Sequence, residues 1–109
     1  MNRKLKSASR SHEDATIESF GKHPALAVEY LNAVLADGDQ KELMLALRRV
    51  SQAFGGISKL ARNTKLNATT LYRTLSHKGN PELRSLTALL HAMGMQLAVR
   101  PLPRKHRAA

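Results

Sequence analysis

The chain has 109 residues, 18 of them Lys or Arg and 8 Asp or Glu, for a formal net charge of +10. That length holds one small domain with no room for a second core, and a hydrophobic content of 42% is enough to pack one. The absence of Cys excludes a disulfide framework, a thiolate metal site and a cysteine nucleophile. No apolar run approaches the roughly 18 residues of a membrane span, and the basic N-terminus lacks the apolar stretch of a signal peptide. These features set the expectation of a soluble, cytoplasmic protein with a polyanionic partner.

In chain order, residues 1–11 carry Arg3, Lys4, Lys6 and Arg10 without an acid and read as a flexible basic arm. A short helix is predicted near 12–20, broken by Gly21 and His23-Pro24. Pro24 opens a helix over 24–36, with Ala27, Tyr30, Leu31, Val34 and Leu35 at helical spacing. Gly38 is its left-handed cap. Asp39 with Glu42 forms a capping-box-like start for the next helix, whose stripe is Leu43, Ala46, Leu47, Val50 and Phe54. Gly55-Gly56 ends it. Short helices follow at 57–63 and 68–76, then a loop at 78–81, a helix at 81–93 and a Gly94 cap. Residues 95–100 alternate apolar and polar with period two and read as a half-buried strand. Pro101 and Pro103 end it, and 101–109 is a basic tail. The expected fold is therefore all-α, with five to six helices over residues 12–100 and one short C-terminal β-strand.

Charge is segregated along the chain. Residues 12–42 hold Glu13, Asp14, Glu18, Glu29, Asp37, Asp39 and Glu42 against Lys22 and Lys41. Residues 43–81 then carry Arg48, Arg49, Lys59, Arg62, Lys65, Arg73 and Lys78 with no acid. An acid-free basic stretch of this length suits a phosphate-facing surface better than an ordinary solvated one.

The motif at 57–76 lies within that stretch. Two short helices joined by a tight turn describe a helix-turn-helix, whose second helix enters the DNA major groove. Ala61 supplies the small residue at the crossing, Leu66 the apolar residue leaving the turn, and Leu71 and Leu75 the inward anchors. Asn67 is a good N-cap for the second helix. With Leu71 and Leu75 inward, Thr69 and Arg73 point outward, flanked by Thr70 and Ser76. Arg73 can fork onto guanine O6 and N7. Thr69 and Thr70 either meet a base edge or phosphate or are ordinary exposed residues. Ser58 and Lys59 open the first helix, where free N–H groups favour a phosphate. Tyr72 is expected at the edge of the buried face.

Ser58-Lys59-Leu60-Ala61-Arg62, Leu66-Asn67, Leu71-Tyr72-Arg73-Thr74-Leu75-Ser76 and Gly79-Asn80-Pro81 resemble the addiction-module antidote proteins. These are HigA-like antitoxins with a phage-repressor-type helix-turn-helix. Tyr30-Leu31-Asn32-Ala33, Asp37-Gly38-Asp39, Leu45-Ala46-Leu47-Arg48 and Met93-Gly94-Met95-Gln96-Leu97 are also similar, so the resemblance spans roughly residues 24–100. It implies an antitoxin of a type II pair that binds its own operator and neutralises a small basic RelE-like toxin. One departure is Lys65, where the family usually has Gly. A left-handed backbone at that site costs a residue with a Cβ about 1 kcal/mol, so either the turn tolerates that strain or its geometry differs. Lys65 also sets a cation beside the groove.

Candidate DNA-contacting residues are thus Ser58, Lys59, Lys65, Asn67, Thr69, Thr70, Arg73 and Ser76. No cofactor, metal site or catalytic residue is expected. The five histidines are scattered without the spacing of a metal helix, and no nucleophile elbow or phosphate loop is present. A homodimer is expected, because one short recognition helix reads only a few base pairs and two half-sites lie about 34 Å apart. Pairing of strand 95–100 with its two-fold mate is one way to make it, and local pairing near residues 1–11 is the other. Open alternatives are a toxin-neutralising protein with vestigial DNA binding, a stand-alone prophage-type regulator, and a basic RNA- or ribosome-associated protein. The first reading places the protein in the cytoplasm, associated with the nucleoid.

Overall fold

A computed structural model describes residues 2–76 and 78–103, with side chains from His12 onward. Six helices follow in order: α1 (Asn2–Lys22), α2 (Pro24–Asp37), α3 (Gln40–Ala53), α4 (Ile57–Thr64), α5 (Ala68–Thr74) and α6 (Leu83–Ala92). The helix predicted near 12–20 begins at Asn2 instead. No Gly or Pro interrupts the chain before Gly21, and Leu5, Ala8 and the Lys and Arg residues among them are good helix formers. The backbone of 2–11, read from composition as an arm, is therefore helical. His23, non-helical at φ −131°, ψ 82° ahead of a proline, separates α1 from α2. Gly38 takes the left-handed conformation at φ 79°, and its N–H reaches the Val34 carbonyl. Asp39 then caps α3, its carboxylate accepting from the N–H groups of Lys41 and Glu42 at 2.9 and 3.2 Å.

The central element is α3, which packs against α1, α2 and α4. Contact on several sides widens its buried face beyond the predicted stripe. Met44, Ala46, Leu47, Val50 and Ser51 are buried, whereas Leu43 and Phe54 are only partly so. α1 and α2 are joined by stacked rings of Phe20 and Tyr30, with centroids 5.0 Å apart. α6 closes the other side against α4 with Leu89 and Leu90, and Met93 follows them into the core.

The expected strand at 95–100 is not formed: among the described residues there is no strand at all, and Met95–Pro103 has no regular structure. A strand is defined by its ladder, and period-two alternation identifies a strand-compatible face without supplying a partner. The last backbone bond of this region runs from the Met95 N–H to the Leu90 carbonyl at 2.8 Å. The alternative partner near residues 1–11 is engaged in α1. The basic tail at 104–109 and His77 lie outside the described residues. No described helix is long and apolar enough to cross a membrane.

Candidate nucleic-acid interface

The turn between α4 and α5 is built by its own side chains. The Thr64 hydroxyl donates back to the Leu60 or Ala61 carbonyl at 3.0 and 3.2 Å and accepts from the Leu66 N–H at 3.3 Å. Lys65 then turns left-handed at φ 64°, as the C-cap of α4. It is the non-glycine residue of positive φ among the described residues, so of the two alternatives the turn is left-handed with a Cβ in place. The Asn67 side chain accepts from the Thr70 N–H at 3.0 Å and caps α5.

α5 is held by Leu71 and by Leu75 at its C-cap, 3% and 0% exposed. Thr69, Thr70 and Arg73 are exposed, as the helical spacing requires. Ser58 and Lys59 are exposed on the first turn of α4, which has no side-chain cap. Lys65 and Asn67 are exposed in the turn. Ser76 falls outside this group. α5 stops at Thr74, and Ser76 is half-buried in the following bend, its carbonyl accepting from the Gly79 N–H at 2.7 Å. Leu75 at φ −91°, ψ 9° has left helical geometry, so the exposed face ends before Ser76.

Sequence reasoning misplaced three other residues. Tyr72 is 55% exposed rather than packed at the edge. α5 packs mainly on α4, and beside Tyr72 lies an open cleft of about 420 Å³ lined also by Arg48, Arg49, Gln52 and Ile57. Arg48 and Arg49 belong to the acid-free stretch yet turn to partners within the chain. The Arg48 guanidinium donates to the Leu75 carbonyl, tying α3 to the end of α5. The Arg49 guanidinium meets the Tyr30 hydroxyl at 3.4 Å and the Glu13 carboxylate at 3.1 Å. The Tyr30 hydroxyl holds its pKa above the ordinary arginine value, against the opposing effect of burial and with help from Glu13. The cations left on the surface of the stretch are Lys59, Arg62, Lys65, Arg73 and Lys78. None is in an ion pair among the described residues.

The molecule is thus a small all-helical domain that presents a short, N-capped helix on an exposed basic surface. Compared with known protein families, residues 16–101 match the family described as probable addiction module antidote protein. The chain belongs to that family. Membership carries an antitoxin role and a toxin partner of some kind. Searches of the curated proteins and of the solved structures return no significant match.

Proposed function

We propose that this antitoxin is a sequence-specific DNA-binding repressor of its own operon. In this reading α4 and α5 form a phage-repressor-type helix-turn-helix, and a homodimer sets α5 of each copy into successive major grooves. The carrying observation is that α5 buries only its Leu71 and Leu75 side and offers Thr69, Thr70, Tyr72 and Arg73 outward, from a stretch without an acid. Arg73 reads a guanine edge, and Thr69 and Thr70 meet a base or phosphate. Ser58, Lys59 and Lys65 hold the phosphates that fix register. Asn67 serves by capping α5. The toxin is read as a small basic RelE-like protein, which the acids of residues 12–42 suit by charge.

Footprinting on the DNA upstream of its own gene tests the first claim. Protection of two related half-sites one helical turn apart is expected, with preference over scrambled duplex that persists as salt is raised. Equal binding to all duplexes, lost in parallel with salt, would leave only a charge-driven association. A gene for a small basic protein beside this one, whose product the chain neutralises, is the expected test of the second.

A further inference from the structure

Arg48 and Arg49 belong to the acid-free basic stretch, and their contacts within the chain do not exhaust them. Arg48 donates to the Leu75 carbonyl, and Arg49 to the Glu13 carboxylate and the Tyr30 hydroxyl. A guanidinium has more N–H donors than these bonds use. Both side chains line the open cleft of about 420 Å³ beside Tyr72, whose other walls are Leu45, Gln52, Gly56, Ile57 and Glu13. Gly56 and Ile57 open α4, and no side chain caps its first turn. The lining thus holds two cations against one acid, between the start of α4 and the flank of α5.

We infer that this cleft seats a phosphate of the DNA backbone on Arg48 and Arg49, with Glu13 competing against it for Arg49. The site rests on the reading of α5 as a helix lying in the major groove. A helix in a groove about 12 Å wide has a phosphate strand along each flank. On α5, Tyr72 is one residue, and so about 100°, round from Arg73. With Arg73 turned to the base edges, the Tyr72 side and its cleft turn to one of those strands. The Tyr30 hydroxyl at 3.4 Å holds the Arg49 guanidinium in place, and Glu13 takes its Nε–H at 3.1 Å. Both members of that ion pair are partly exposed, so the carboxylate gives way to a phosphate at small cost. Its charge still opposes the phosphate from the same cleft. An acid so placed weakens a contact that reads no sequence. It thereby leaves a larger share of the affinity to Arg73 and the threonines of α5.

The test uses the full chain and salt-dependent anisotropy titrations on the DNA upstream of its own gene and on scrambled duplex. Arg49 is the residue to change, because Arg48 also holds the end of α5. Arg49→Gln is expected to weaken binding and to flatten the dependence of log K on log salt by about one unit. Arg49→Lys is expected to keep the slope of the wild type. Glu13→Gln is expected to tighten binding about two- to fivefold. Asp14 is an exposed acid on the same helix that does not line the cleft, and Asp14→Asn is expected to change affinity by less than about 1.5-fold. Ethylation of single phosphates locates the contact: one phosphate per half-site is expected whose ethylation weakens the wild type but not Arg49→Gln. An unchanged slope in Arg49→Gln, or equal gains from Glu13→Gln and Asp14→Asn, would overturn the inference. The seat reads no base, so its effects are expected on both duplexes alike. A protein without operator preference that shows them breaks the functional reading alone, and an operator-binding protein that lacks them breaks only this site. Failure to bind either duplex overturns both.

Discussion

The bundle of α1, α2 and α3 and the pair α4–α5 share one chain but divide its work. α3 buries five side chains in 14 residues, including Met44, Leu47 and Val50, whereas the seven residues of α5 bury only Leu71. Acids follow the same division: seven between residues 12 and 42, none between 43 and 81. The difference teaches that stability and surface chemistry are separable here. The bundle supplies burial, and the pair spends most of its length on exposed side chains held by a few anchors, a cap and one guanidinium.

The largest expected effect breaks that division at its narrowest point. Leu75 is fully buried, so Leu75→Ala is expected to cost about 2–5 kcal/mol of stability, measured by urea unfolding. A cost under about 1 kcal/mol would mean that α5 is not anchored through this residue. Arg73→Ala should do the opposite, leaving stability within about 0.5 kcal/mol and removing about 1–3 kcal/mol of operator affinity. Anisotropy titrations on cognate and scrambled duplexes check it: equal loss on both reduces Arg73 to a phosphate contact.

Smaller effects sharpen the comparison. Asn67→Ala removes the cap bond at 3.0 Å and is expected to cost about 1 kcal/mol, seen as a lowered urea midpoint with unchanged slope. Lys65→Gly relieves the left-handed backbone at φ 64° and is expected to raise stability by up to about 1 kcal/mol while weakening DNA binding at low salt. Least of all, Glu13→Gln is expected to cost less than about 1 kcal/mol, because its ion pair with Arg49 is half-exposed. A larger cost would show that the cleft beside Tyr72 is more tightly tied to the bundle than its geometry indicates.

The helices from Pro24 onward were legible because their signals are local. Pro24, Gly38, Asp39 and Asn67 act within one turn of the residues they cap. The left-handed turn at Lys65 was not legible, because the residue departs from the glycine of the family and leaves two geometries open. The rest of what was not legible depends on distant neighbours. Nothing in the residues around Tyr72 says that its flank stays uncovered. Nothing around Arg48 says that its hydrogen-bond partner is a carbonyl 27 residues away. The strand failed for the same reason, since alternation at 95–100 describes a face and not a neighbour. The start of α1 is illegible on other grounds: a polar, basic composition is common to arms and to exposed helices, and only the lack of a helix breaker before Gly21 separates the two.

The sparse anchoring of α5 has a consequence for how such a protein diversifies. Thr69, Thr70, Tyr72 and Arg73 are exposed on it, so their replacement leaves the packed interior intact. If α5 reads DNA, a lineage can change its binding site by substituting these four positions while every contact that makes the protein fold is inherited unaltered. Duplicated copies in one genome would then drift apart in regulatory target before they drift apart in architecture.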